Sequence, residues 1–100
     1  MPHLVVHCSE SVTHLAAPGA ITDVVFEAAA STGLFATTGA GGIKVRLEPY
    51  RHNRNVEGGE HFVQFIGYIM EGRPAEQKAA LSARVVGALK RLLTSVEVIS

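Results

Sequence analysis

Cysteine, excess charge and long hydrophobic runs are all scarce in this sequence. A single cysteine, Cys8, excludes an internal disulfide framework and makes a reducing compartment the expectation. Nine Lys and Arg balance nine Asp and Glu, so no overall field would gather nucleic acid or an anionic membrane. An anionic ligand would need locally placed cations instead. No apolar run approaches the ~20 residues of a membrane-spanning helix. The N-terminus carries neither the charged nor the apolar region of a signal peptide. The expectation is a cytoplasmic protein with no nucleic-acid and no membrane partner.

What is there argues for a folded domain. Apolar residues make up 47% of the chain and charged residues 18%, which excludes disorder. One hundred residues suit a single domain with a modest core, and so apolar a small chain is expected to bury surface against another subunit.

Residues 3–8, HLVVHC, predict a short strand, and SESVTHLAA a turn or short helical stretch. Pro18 suits a first helical turn, and Ile21, Val24, Val25, Ala28 and Ala29 fall at helical spacing. Gly33 ends that pattern as a C′ glycine would, so the first helix runs from Pro18 to Ser31. In the alternating segment IKVRLE, Ile43, Val45 and Leu47 share one face of a strand, and Lys44, Arg46 and Glu48 the other. A polar connection with a Gly58-Gly59 turn leads to HFVQFIGYIM, a third strand apolar on both faces and expected to be covered on both. Pro74 suits the first turn of a second helix, with Leu81, Val85, Leu89 and Leu92 as its stripe. SVEVI predicts a last short strand. The fold class is therefore α+β (α/β): two tandem β-α-β units, about 1–50 and 60–100, forming a four-stranded mixed sheet with two helices on one face.

Several residues could carry chemistry. Pro2 has two readings. A strand tolerates proline at its first position, where the missing N–H costs nothing. A small second residue also permits removal of the initiator methionine, and Pro2 would then expose a secondary amine able to act as a general base. The glycines of GLFATTGAGG resemble part of a nucleotide-binding turn, but a strand follows them where phosphate binding needs a helix N-terminus. His3 and His7 share a strand face yet lie ~13 Å apart, and the other histidines lack ligand spacing, so no metal is expected. Cys8, alone in an apolar strand, is expected to be buried.

PHLVVHCSE at the N-terminus, STGLF after the first helix, GIKVR opening the second strand and EGRP opening the second helix resemble the tautomerase superfamily, most of all its 5-carboxymethyl-2-hydroxymuconate Δ-isomerases. The resemblance covers essentially the whole chain in order. It implies a homotrimer of fused β-α-β units and a cofactor-independent isomerase that moves a double bond in a 2-hydroxymuconate-like acid, as in aromatic compound catabolism. It implies Pro2 as the catalytic base, with Arg73 and Lys44 acting beside it and Arg46 binding a substrate carboxylate. Lys44 stands where the family's segment has an arginine, and lysine offers a point charge in place of a bidentate fork. Two alternatives stay open: another tautomerase activity on a smaller enol or keto acid, and an inactive trimer that binds small acids.

Overall fold

The computed structural model describes residues 2–55, 59–69 and 72–100. Strand β1 (His3–Ser9) leads through a short 3-10 helix (Glu10–His14) to helix α1 (Pro18–Ser31), then strands β2 (Lys44–Tyr50) and β3 (Val63–Tyr68) and helix α2 (Ala75–Leu92). β1 is the middle strand of the order β2-β1-β3. It pairs parallel with β2, across the α1 crossover, and antiparallel with β3.

Strand alternation sorts β1 into two faces. Leu4, Val6 and Cys8 enter a core with Ile21, Val25 and Ala29 of α1 and Leu81, Val85 and Leu89 of α2. Both helices therefore cover the same face of the sheet. The opposite face carries His3, Val5 and His7, flanked by their register partners Lys44, Arg46 and Glu48 on β2 and Tyr68, Ile66 and Gln64 on β3. No element of the chain packs over this second face among the described residues.

α1 has the predicted limits for the predicted reasons. Pro18 sits in its first turn, where a missing N–H is one of the helix's orphan donors anyway. Gly33 follows the helix at φ +70°, in the left-handed region where a side chain is disfavoured. α2 differs slightly: Pro74 is its extended N-cap and the helix begins at Ala75. Its stripe also ends differently, since Leu92 is 37% exposed and Leu93, four residues past Leu89, is buried.

Two expectations about the sheet need correction. Among the described residues it has three strands, not four. The C-terminal segment reaches β3 only at a single parallel bridge between Val63 and Ile99. There Val63 N–H donates to Val98 O at 2.8 Å and Phe65 N–H to Ser100 O at 2.7 Å. The residues before it are spent on leaving the helix: Val96 N–H donates to Leu93 O at 3.0 Å and the Val96 side chain tucks into the core. β3, in turn, is not covered on both faces by the described residues. Gln64 and Tyr68, the register partners of His7 and His3, are exposed because the helices lie on the other side of the sheet. Gly58 of the expected turn, Met70 of the expected third strand and Glu71 of EGRP lie outside the described residues, as do Met1, Val56 and Glu57. Among the described residues no helix is long and apolar enough to cross a membrane.

Candidate active site

The strand register decides which chemistry meets. His3 at the start of β1 pairs with Lys44 at the start of β2 and with Tyr68 at the end of β3. One end of the sheet therefore gathers Pro2, Lys44 and the exit from β3 that leads to Arg73. Lys44 N–H donates to Pro2 O at 3.1 Å, which ties the two candidates through the backbone. The Pro2 ring is fully buried, and continuing the alternation of β1 puts it on the helix side with Leu4.

Arg73 lies between β3 and α2 and is half-buried. Its guanidinium donates to Leu34 O at 3.1 Å and to Gln77 Oε1 at 3.2 Å. It also stacks over the Phe35 ring, 4.7 Å from the centroid, a geometry that suits a planar cation. Arg73 thus fastens the chain after α1 to the start of α2, at the same end of the molecule as Pro2.

Lys44 and Arg46 behave differently from each other. Both side chains belong to the open face of the sheet, opposite the Pro2 ring. Lys44 Nζ turns back to donate to Ala40 O and, at 3.1 Å, to Gly42 O, so it pins the glycine-rich loop. Ile43 N–H closes the same loop onto Ala36 O at 3.0 Å. Arg46 makes no side-chain hydrogen bond or ion pair among the described residues. The sheet itself therefore stands between Pro2 and Arg46 within one chain. Desolvation, the amino-terminal charge, Arg46 and Lys44 together lower the pKa of His3, so this part of the open face is positive through Lys44 and Arg46 rather than through the imidazole.

The far end of the sheet holds a separate polar set. His7 Nδ1 lies 2.8 Å from the Tyr50 hydroxyl. Ser11 Oγ lies 2.7 Å from His61 Nδ1 and 2.9 Å from Ser9 Oγ, which accepts from Phe62 N–H at 3.1 Å. These bonds fasten β1 to the segment entering β3 and satisfy the buried Ser9 hydroxyl. Cys8 is fully buried, and burial raises its thiol pKa, which keeps it protonated and unreactive. Among the described residues no three His, Cys, Asp or Glu side chains are grouped to hold a metal ion.

Neither a protein-family model nor a curated protein sequence matches the chain. Solved structures do. A 5-carboxymethyl-2-hydroxymuconate delta-isomerase superposes with a TM-score of 0.78 at 19% identity, over 100% of this chain and 78% of that one. Pt0534 inactivated by 2-oxo-3-pentynoate matches with a TM-score of 0.72 at 20% identity, over 97% of this chain and 80% of the other. A fused 4-OT, a symmetric trimer, matches at 0.67 and 16% identity, over 98% and 81%. This is the tautomerase fold. At such identities the agreement lies in the course of the backbone rather than in side chains. In the tautomerase fold of this chain, Pro2 immediately precedes the central strand.

One cation at this end of the molecule escaped the reading of the sequence. Lys78 lies in the first turns of α2, beside a cleft between that helix and β3. The available signal was its position, because a cation near a helix N-terminus opposes the macrodipole and needs a reason to be there.

Proposed function

We propose that the chain is an isomerase of tautomerase type that shifts a double bond in a 2-hydroxymuconate-like polycarboxylate, with Pro2 as the proton carrier. The observation that carries this reading is the position of Pro2 on the tautomerase fold. It immediately precedes the central strand, at the end of the sheet where Arg73 is held.

The chemistry needs little else. With Met1 removed, the Pro2 nitrogen is a secondary amine with a free electron pair. It takes the enol hydroxyl proton, the C–O bond becomes a carbonyl, and the double bond moves along the conjugated chain. The same nitrogen then returns the proton to carbon, so no cofactor is consumed. An apolar surround disfavours the ammonium form and keeps such an amine ready as a base. Arg73 supplies a charged fork for a carboxylate and for the developing dienolate oxygen, although its present bonds to Leu34 and Gln77 must loosen or be shared. Lys44 would have to release the loop carbonyls to take part.

A homotrimer completes the proposal. The open sheet face exposes Tyr50 (40%) and Tyr68 (51%) around Val5 and Ile66, and a subunit packed there would meet Arg46. In this arrangement Arg46 serves a neighbour's site rather than the Pro2 of its own chain. Replacing Ile66 with glutamate would bury a carboxylate in that contact. The expected result is a rise of about tenfold or more in the trimer dissociation constant, read by sedimentation velocity, with the helix content unchanged.

The function is tested with untagged protein whose intact mass shows loss of Met1. Ultraviolet absorbance should follow turnover of 2-hydroxymuconate, and protein retaining Met1 should be inactive because its Pro2 nitrogen is an amide. Met-free protein that turns over no enol acid would overturn the proposal.

A further inference from the structure

A cleft of about 520 Å³ separates β3 from the first half of α2. Its volume lies in the range of small-molecule sites. Phe65, Gly67 and Ile69 form the sheet wall, Leu81 the helix wall, and Lys78 and Ser82 stand on the rim one helical turn apart. Gly67 puts no side chain into the sheet wall, and a Cβ there would meet Leu4 Cδ2 and the Phe65 ring in ordinary contact at 3.4 Å. The cleft is thus an apolar slot with a cation and a hydroxyl on one side.

Its position connects it with the candidate site. β1 and β3 pair with His3 opposite Tyr68 and Leu4 opposite Gly67. Continuing that register sets Ile69 beside Pro2, one strand spacing of roughly 4.8 Å away. The cleft therefore begins next to Pro2, on the same helix-facing side of the sheet.

Lys78 is the polar feature that asks for a ligand. It lies near the start of an 18-residue helix, where the macrodipole already favours negative charge. Among the described residues neither its ammonium nor the Ser82 hydroxyl has a hydrogen-bond or ion-pair partner. Phe65, Ile69 and Leu81 offer the apolar walls that a flat hydrocarbon chain would need, and Lys78 and Ser82 stand where a carboxylate at its end would lie.

We propose that this cleft binds the conjugated body of an unsaturated carboxylic acid, with Lys78 pairing to a carboxylate and the Ser82 hydroxyl donating to it. As a determinant of substrate choice, Lys78 rests on the isomerase reading above. As a binding site, the cleft does not.

Sorbate, a conjugated monocarboxylate, and its neutral amide are suitable probes, titrated calorimetrically against wild type, Lys78→Met and Lys78→Arg. The wild type should prefer sorbate to the amide. Lys78→Met should weaken sorbate about tenfold or more, to the level of the amide, because a charge-assisted bond is lost. The amide should bind all three proteins alike, and Lys78→Arg should keep most of the sorbate affinity. Equal sorbate affinity in wild type and Lys78→Met, or no sorbate binding by the wild type, overturns the site. Circular dichroism checks that the exposed position leaves the fold intact.

Turnover separates the two proposals. Lys78-dependent sorbate binding without turnover of any enol acid leaves the cleft standing and removes the isomerase reading. Turnover whose KM is unmoved by Lys78→Met keeps the isomerase reading and removes Lys78 as a determinant of its substrate. A raised KM with little change in kcat supports both, since it marks binding shared by ground and transition states.

Discussion

Pro2→Ala is expected to lower kcat on 2-hydroxymuconate by about 100-fold or more, the usual worth of a positioned general base. Alanine also permits methionine removal, so the variant still has a free amino terminus. What changes is the secondary amine and the rigid ring that aims it. The ring is fully buried, and losing its extra methylenes costs about 1–2 kcal/mol of stability. Thermal unfolding must accompany the kinetics for that reason. A folded variant with the wild-type rate would remove Pro2 as the base. The pH dependence gives an independent reading. The amine acts as a base only when unprotonated, so kcat/KM should fall as pH drops through its pKa, and that limb should shift or vanish in the variant.

Leu89→Ala should unfold much of the population on modest heating. Leu89 is fully buried where α2 meets the sheet and α1, and truncating a leucine in such a place costs about 2–5 kcal/mol. A domain of this size has a total stability of about 5–15 kcal/mol, and each kcal/mol moves its Tm by roughly 4–8 °C. The midpoint should therefore fall by about 10 °C or more. Leu92→Ala is the control. Leu92 is 37% exposed, and its truncation should stay within about 0.5 kcal/mol. Equal losses from the two variants would contradict the burial pattern of α2.

These two residues show how differently fold and site can be read from a chain. Residues 18–33 spell out α1 completely: proline where no donor is needed, apolar residues at helical spacing, glycine where φ turns positive. Local chemistry dictates each of those features, so sequence order suffices. β2 is nearly as legible, since Val45 and Leu47 alternate with Lys44, Arg46 and Glu48. The end of α2 is less so. Leu92 and Leu93 are both plausible members of the stripe by type, and only packing against the sheet chooses Leu93.

The C-terminal strand is the clearest difference. SVEVI has strand composition, but a ladder needs a segment free to lie along β3. Leu93 and Val96 are drawn into the core, and only the last residues reach β3. Likewise, β3 is apolar enough for a covered strand, yet the described residues cover only one of its faces. Composition records that a surface is apolar without recording whose surface covers it.

The candidate site divides along the same line. Pro2 and Arg73 could be named from their local segments. Their presence at one end of the sheet, the bonds that hold Arg73 to Leu34 and Gln77, and the turn of Lys44 onto the glycine-rich loop depend on contacts between residues far apart in the chain. Lys78 belongs wholly to this second kind, because the sheet wall opposite it comes from another strand. Alternation and capping alone settled α1, the faces of β1 and β2 and the residue types available for proton transfer, since each acts within a few neighbouring residues. The register of β1 between β2 and β3, the open face and the cleft were decided by packing, which answers to the whole chain at once.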